Sequence, residues 1–206
     1  MSNKTLTDKV HSKFVYNRRL EVLCRHFAKM IPANARVLDV GCGDGNLDRM
    51  LKEKRPDITI SGIDVFVRPT SYIEVVVFDG NTIPYGDNEF DVVMFVDVLH
   101  HTDDANVLLR EAARVAKDCV IIKDHSKNGL LAWQTLRFMD NVGNTKHGVR
   151  LPYNYWANAE WNKAFDEVGL KSVERRTRLD LYPVPVDWIF GRGLHFIDGL
   201  KVIGKA

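Results

Sequence analysis

The stretch that decides the fold is VLDVGCGDG, residues Val37–Gly45. It begins as an apolar run around Asp39, and glycines then recur at every second position, 41, 43 and 45. Glycine lets the backbone turn tightly and approach a ligand, because no Cβ intervenes. A helix starting near Asn46 would add free N–H groups and a positive dipole end. The segment therefore predicts a strand, a tight loop and a helix that together bind a nucleotide-like ligand carrying a carboxylate.

The spacing of the glycines distinguishes a dinucleotide-binding site from other nucleotide-like ligand sites. The dinucleotide fingerprint needs glycine at positions 41, 43 and 46, and position 46 is Asn46 in this chain. An ordinary glycine-rich turn is the plainer alternative, and three alternating glycines behind an apolar strand speak against it. A nicotinamide-dependent oxidoreductase therefore stays only as a rival interpretation.

Composition and charge indicate an ordinary globular protein. The 206 residues suit one domain with a full hydrophobic core, and 45% are hydrophobic and 27% charged. A net charge of +2 is too small to predict a nucleic-acid or anionic membrane partner. No apolar run approaches the roughly 20 residues of a membrane span, and the polar start MSNKTLTDKVHSKF does not resemble a signal peptide. Cys24, Cys42 and Cys119 are too widely spaced for a metal knuckle and are expected to be reduced, in a cytoplasmic protein.

Short apolar runs alternate with helical stretches, which predicts an α/β fold with a mostly parallel sheet. The predicted strands are Ala35–Val40, Ile58–Ile63, Ile73–Phe78, Phe90–Val96 and Cys119–Lys123, with a closing pair over Leu170–Leu181 and Gly193–Val202. The predicted helices are Asp8–Met30 (as one helix or two), Asn46–Lys54, Asp103–Ala116, Gly129–Val142 and Ala157–Val168. The link from Val65 to Tyr72 is expected to hold little helix, because a parallel crossover usually takes about a dozen residues.

Acidic residues lie at the ends of four successive predicted strands: Asp39, Asp64, Asp79 and Asp97. One such residue is common as a cap or turn residue, but four are unusual. Ligands of open α/β sheets bind outside the carboxyl ends of the strands, where all four would lie. There the Asp64 carboxylate could accept bonds from ribose hydroxyls and Asp79 from an adenine amine.

The segments VLDVGCGDG, GID (Gly62–Asp64) and FDGNTIPYGDNEFDVVMFVDVLHH (Phe78–His101) resemble the class I S-adenosylmethionine-dependent methyltransferase superfamily. Within it the chain is similar to the type 11 group, which includes ubiquinone and menaquinone biosynthesis enzymes. The resemblance covers roughly Arg36 to Lys123. It implies a three-layer, Rossmann-like α/β sandwich with a seven-stranded sheet of order 3-2-1-4-5-7-6, the last strand antiparallel, and S-adenosylmethionine as cofactor. We expect a single domain with a helical cap (1–32), a cofactor-binding half (33–125) and an acceptor-side half (126–206).

The resemblance also implies roles for individual residues. Asp39 and the loop glycines Gly41 and Gly43 would lie near the methionine moiety, and Asp64 would hold the ribose. Asp79 and Gly80 would contact the adenine, and the backbone of Asp97 would meet the amino group. His101 would form a wall of the cofactor pocket. The compressed link after Asp64 departs from the usual pattern, and Val65 and Phe66 could supply apolar contact to the adenine there.

The N-terminal segment FVYNRRL (Phe14–Leu20) is a candidate lid over the cofactor. Arg18 or Arg19 could pair with the cofactor carboxylate in a charge-assisted contact. A solvent-exposed helix face explains the same arginines equally well, since most surface arginines do no more than that.

Histidines after the fourth and fifth strands are the candidates for a general base. His125 is the first choice, because it follows Asp124 at the end of the fifth strand, and His147 in the polar loop DNVGNTKHGVRLPYNYW is the second. Adjacent residues often point apart, so a direct Asp124–His125 pair is not assured. A metal site of Asp124, His125, Asp140 and His147 is a minor alternative, because the spacing matches no tight ligand motif, and no metal is predicted.

The predicted function is methyl transfer from S-adenosylmethionine to a small or medium-sized hydrophobic acceptor, at oxygen first and carbon or nitrogen next. Aromatic residues crowd the acceptor side and indicate either core packing or an apolar pocket; they are Trp133, Phe138, Tyr153, Tyr155, Trp156 and Trp161. The apolar segment WIFGRGLHFIDGL (Trp188–Leu200) suits the core or a homodimer surface. A cofactor-binding partner protein without catalysis is the alternative outside the enzymes.

Overall fold

The fold is a seven-stranded sheet with helices on both faces. A computed structural model describes residues 6–144, 152–184, 186–191 and 193–203. The strands are β1 (Arg36–Val40), β2 (Thr59–Asp64), β3 (Val75–Val77), β4 (Phe90–Val96), β5 (Ala116–His125), β6 (Leu170–Arg176) and β7 (His195–Val202). The helices are α1 (Leu6–Met30), α2 (Asn46–Lys54), α3 (Ala105–Val115), α4 (Ala132–Asn144), α5 (Asn158–Glu167) and α6 (Asp187–Phe190), with a 3₁₀ turn at Leu99–His101.

The sheet order is β3-β2-β1-β4-β5-β7-β6, which confirms the expected topology. Strands β1 to β5 pair in parallel, and β7 runs antiparallel between β5 and β6. The carboxyl ends of β1, β2 and β4 therefore meet at one edge, because Val40 pairs with both Ile63 and Phe95. This edge positions the candidate site.

Two hydrophobic clusters cover the two faces of the sheet. The first packs α3 and α5 on residues such as Val93 and Phe95 of β4, and the second packs α1 and α2 on the intervening Val92 and Met94. All four of these β4 side chains are fully buried. A strand buried on both faces explains why the predicted β4 is nearly all apolar, with Asp91 as its one charged residue.

Four strands, β3, β5, β6 and β7, differ from the predicted bounds by two residues or more at an end. β6 differs most, since it ends at Arg176 instead of Leu181. β3 has only three residues, because Ile73 packs against the glycine loop instead: a Cβ at Gly45 would lie 2.3 Å from Ile73 Cγ1. β5 begins at Ala116, directly after α3, because Ala116 pairs with Phe90 at the start of β4. Apolar patterning cannot set such ends, since strand pairing decides them. The link after β2 holds no helix in this part of the chain, as expected.

The N-terminal segment forms one long helix, α1, which packs on α2. Arg55 fixes the carboxyl end of α1, since its guanidinium donates to Ala28 O at 2.7 Å, Ile31 O at 2.9 Å and Pro32 O at 3.0 Å. Among the described residues, no helix combines the length and the apolar character that crossing a membrane requires. The three cysteines are free thiols.

Candidate functional site

The glycine loop, residues 41–45, turns the chain from β1 into α2. The N–H groups of Gly41 and Cys42 both donate to Ile63 O of β2, at 2.7 and 3.1 Å. Gly41 has a φ of +79°, and a Cβ there would lie 2.5 Å from Val98 Cγ2. A side chain at this position would therefore both strain the backbone and collide with the segment after β4. The loop is held tightly against the ends of its neighbouring strands.

Asp64 is fixed by the glycine loop. The N–H of Gly43 donates to Asp64 Oδ2 at 2.8 Å, and the N–H of Phe66 donates to Oδ1 at 3.1 Å. A carboxylate offers about four acceptor positions, so these two bonds orient Asp64 and leave capacity for ligand hydroxyls. A Cβ at Gly43 would meet only the flexible end of Arg68, at 3.6 Å, which can move aside for a ligand. The residues of this loop thus fit a nucleoside ligand.

Asp79 and Gly80 follow β3 beside the same edge. The N–H groups of Asn81 and Thr82 donate to Asp79 Oδ1, each at 2.7 Å. These bonds, that of Thr82 first, lower the pKa of the exposed Asp79 carboxyl, so it is ionised at neutral pH. A Cβ at Gly80 would lie 3.1 Å from Val65, which is itself 60% exposed. The Asp79 carboxylate, a hydrogen-bond acceptor, and the exposed apolar side chain of Val65 therefore lie close to Gly80.

Asp39 forms a buried carboxyl pair with Asp48 of α2, which sequence reasoning missed. The two residues are 3% and 0% exposed, and burial raises the pKa of both side chains, that of Asp48 to about 7. Asp39 Oδ1 has no hydrogen-bond partner among the described residues. The pair therefore holds a proton in the folded chain near neutral pH. The sequence does contain an acid at position 48, three residues after the last glycine of the loop, and this acid could have indicated a partner for Asp39.

α1 reaches the carboxyl edge of the sheet through Arg19. Arg19 forms an ion pair with the Asp97 carboxylate, which also accepts a bond from the buried Lys123. Arg18, which the sequence offered as a partner of the cofactor carboxylate, donates to Asp180 O at 3.2 Å. Asp97 has a left-handed φ of +58°, and its N–H donates to Lys123 O at 2.8 Å.

A cluster of buried polar side chains lies beyond Asp97, at the ends of β4, β5 and β7. Its centre is Asp124, whose Oδ1 lies 2.6 Å from His100 Nδ1 and accepts the His125 N–H at 2.7 Å. Asp124 Oδ2 accepts the Leu99 N–H at 3.1 Å. Burial opposes ionisation of Asp124, but the neighbouring His100 outweighs it and holds the pKa below its ordinary value. Asp124 thus orients His100 more directly than the adjacent His125.

His125 is enclosed. Its Nδ1 lies 3.4 Å from His100 Nδ1 and 3.6 Å from Asp97 Oδ1, and the residue is 5% exposed. Burial, followed by the charge of Lys123, lowers the pKa of His125 well below its ordinary value, so the ring is neutral at pH 7. His147, the second candidate base, lies outside the described residues and stays a prediction.

The other nitrogen of His100 is the unexpected feature of this cluster. His100 Nε2 is buried without a hydrogen-bond partner among the described residues, and it lies 3.6 Å from Asp140 Oδ2. Asp140 accepts a hydrogen bond from the Tyr155 hydroxyl. The half-buried His101 ring lies beside that of His100, with centroids 4.0 Å apart. The sequence groups Asp140 with Asp124 and His125 in an alternative metal site, but it could not show the contact with His100, because that contact depends on how α4 packs.

The aromatic residues of the acceptor side divide into two groups. Tyr155 and Trp161 are buried, and the Trp161 indole N–H donates to His125 O at 3.0 Å. Trp133 and Phe138 of α4 are 40% and 58% exposed, and Phe138 stacks on Phe190 of α6. Core packing and an exposed apolar surface thus both occur. Of the segment Trp188–Leu200, residues 195–200 are buried in the sheet and Trp188 is exposed.

Comparison with known proteins identifies the fold. The model of a family described as "Methyltransferase domain" matches residues 14–175. The chain belongs to this methyltransferase family. The family match and the sheet order together confirm the class I methyltransferase-like protein that the resemblance implied.

Individual relatives of this chain are distant. It is 26% identical over 166 residues to a phosphoethanolamine N-methyltransferase 1 of Triticum aestivum, covering 74% of the chain and 31% of the relative. It is 32% identical over 110 residues to the 27-O-demethylrifamycin SV methyltransferase of Amycolatopsis mediterranei, covering 46% and 40%. The chain thus spans less than half of either enzyme. A methyltransferase in a complex with the Trm112 activator of Haloferax volcanii shares the fold, with a TM-score of 0.69, 17% identity and 93% of each chain covered.

Proposed function

We propose that this methyltransferase transfers a methyl group from S-adenosylmethionine to a small-molecule acceptor. The observation that carries the proposal is the glycine loop with Asp64 bonded to it, because the two form a rigid, polar cradle at the carboxyl edge of β1 and β2. When bound, S-adenosylmethionine supplies an electrophilic methyl group on a sulfonium. The enzyme then has mainly to align the acceptor with that group.

In this proposal the cofactor lies along the ends of β1 to β4. The Asp64 carboxylate accepts the ribose hydroxyls, and Asp79 with Gly80 holds the adenine amine. The exposed Val65 covers one face of the adenine. Gly41, Gly43 and Asp39 border the methionine end, and the Asp97 backbone faces its amino group. His101 walls this end of the pocket, and Arg18 would have to leave Asp180 O to reach the cofactor carboxylate.

The acceptor is proposed to bind between residues 126 and 206 and to be apolar in part. Exposed Trp133, Phe138 and Trp188 offer aromatic surface on that side. Ligand sites are mostly apolar with a few polar groups, and the His125 cluster supplies those. Relatives named for phosphoethanolamine and a rifamycin derivative also act on small molecules. Oxygen is our first choice of accepting atom, then carbon or nitrogen.

The cofactor site is tested by calorimetric titration of the full chain with S-adenosylhomocysteine. Asp64→Ala removes two charge-assisted bonds to the ribose, each worth about 1.5–3 kcal/mol, so affinity should fall by at least about a hundredfold. Asp118→Ala is the matched control, because Asp118 is exposed at the opposite end of the sheet, and it should bind like the wild type. Absence of binding to the wild type, or equal affinity in D64A, would refute the proposed site. Titration with NADH tests the rival oxidoreductase interpretation.

A further inference from the structure

A second potential ligand site lies on the acceptor side, where the 3₁₀ turn meets α4. His100, His101 and Asp140 each offer one ligand atom there, and the three atoms lie within 4.8 Å of one another. We propose that these residues bind a divalent transition-metal ion. The site shares His101 with the proposed wall of the cofactor pocket but shares no residue with the ribose and adenine contacts, so it is tested with the metal ion alone.

The distances suit a shared ion better than a direct contact. His100 Nε2 and Asp140 Oδ2 are 3.6 Å apart, which is too long for a hydrogen bond. Ligands about 2.0–2.2 Å from one tetrahedral zinc-like ion lie about 3.3–3.6 Å from each other, so these two atoms are already spaced to share an ion. His100 is only 1% exposed, and burying a ring nitrogen without a partner is costly. A bound ion satisfies that nitrogen.

The groups behind the ligands support the same interpretation. A metal-binding histidine usually donates its other ring N–H to a carboxylate, which fixes the tautomer. Asp124 takes this place, with Oδ1 at 2.6 Å from His100 Nδ1. Its carboxylate is itself held by two backbone N–H groups, that of His125 on Oδ1 and that of Leu99 on Oδ2. The Tyr155 hydroxyl orients Asp140 in the same way. Both buried ligands thus have the outer contacts that a metal site needs.

The donor set predicts the class of ion. Two imidazole nitrogens and one carboxylate oxygen suit zinc, cobalt, iron or manganese, whereas calcium and magnesium prefer oxygen ligands alone. The neighbouring set of His100, Asp124 and His125 is a poorer candidate, because Asp124 already bonds directly to His100 Nδ1. Three protein ligands leave at least one position open on the ion, and the half-buried His101 puts the site within reach of solvent.

The experiment is a titration of the full chain, without an affinity tag, with Co²⁺ followed by its visible absorption and with Zn²⁺ followed by calorimetry. We expect one ion per chain. His101→Gln removes the half-buried ligand and Asp140→Asn removes the carboxylate ligand. Each substitution should weaken metal binding by more than a hundredfold. Tyr155→Phe keeps the ring and removes only the outer contact, so it should weaken binding by about 10- to 100-fold.

His26→Gln is the control, because His26 lies on α1 and bonds to Leu179 O rather than to this cluster. It should bind the ion like the wild type. Circular dichroism of each variant distinguishes loss of the site from loss of the fold. Failure of the folded wild type to bind either ion, or equal binding by wild type, H101Q and D140N, would overturn the proposal. Cofactor binding is measured separately, so this result leaves the proposed methyl transfer untouched.

Discussion

At the scale of single residues, the carboxylates at the strand ends show how far sequence reasoning reaches. That Asp39, Asp64, Asp79 and Asp97 share one edge of the sheet follows from their positions, because parallel strands align their carboxyl ends. The partners of each acid could not be predicted. Asp97 is engaged by Arg19 of α1 and Lys123 of β5, and these contacts depend on packing across 78 and 26 residues of chain. Asp39 pairs with Asp48 because α2 lies against β1.

The Asp39–Asp48 pair should make stability fall as pH rises. Burial raises the pKa of Asp48 to about 7 in the folded chain, from an ordinary value of 3.8. Between pH 3.8 and about 7 the folded state therefore binds more protons than the unfolded state. The stability that the Asp48 carboxyl contributes is fully present below the unfolded pKa and is lost as pH rises through the folded pKa. Asp48→Asn cannot ionise. The unfolding temperature is measured at about pH 5 and pH 8. It should fall less between the two for D48N than for the wild type.

Glu53→Gln is the control for this comparison, since Glu53 is an exposed acid on the same helix. The unfolding temperature of E53Q should change with pH as that of the wild type does. If the curve of D48N also runs parallel to the wild type, the Asp48 carboxyl does not take up a proton on folding.

At the scale of elements, apolar patterning predicted most helices and strands because each presents a continuous buried face. It was wrong about ends of β3, β5, β6 and β7, which strand pairing sets. It also could not show which aromatic side chains of the acceptor side are core. Trp161 of α5 packs against Phe165 and Phe196, with ring centroids 5.7 and 5.3 Å away, and joins α5 to β5 and β7.

Trp161→Phe should destabilise this junction. The change leaves His125 O buried without the indole N–H, at a cost of about 1–3 kcal/mol, and also opens a small cavity. Trp188→Phe is the matched control, because Trp188 is 70% exposed and its replacement should alter the free energy of unfolding by less than about 0.5 kcal/mol. Urea unfolding measures both. Equal effects of the two substitutions would mean that the Trp161 bond adds nothing to stability.

At the scale of the whole molecule, the sheet order and the family were predictable through the resemblance of three segments, VLDVGCGDG, GID and Phe78–His101, to class I methyltransferases. The metal-ligand geometry was not, because it needs α4 and the 3₁₀ turn to meet. The proposed cofactor should stabilise the whole fold. S-adenosylhomocysteine at 100 times its dissociation constant adds about 2.7 kcal/mol, which for a chain of this size raises the unfolding temperature by roughly 6 °C.

Scanning fluorimetry measures this shift. D64A at the same ligand concentration should show a clearly smaller rise than the wild type, whereas D118A should show the full one. A rise of the same size in D64A would mean that the ligand stabilises the chain from another site.

The place of β7 has a consequence for the order in which the chain folds during synthesis. β1 to β5 form consecutive parallel neighbours and can associate as soon as they leave the ribosome. β6 has no partner in this sheet at that stage, because β7, the strand that joins it to β5, follows β6 in the sequence. The half of the sheet next to the buried histidines therefore cannot form before residues 195–202 are synthesised. Until then the edge of β5 has unpaired backbone groups, which chaperones of the cell can bind.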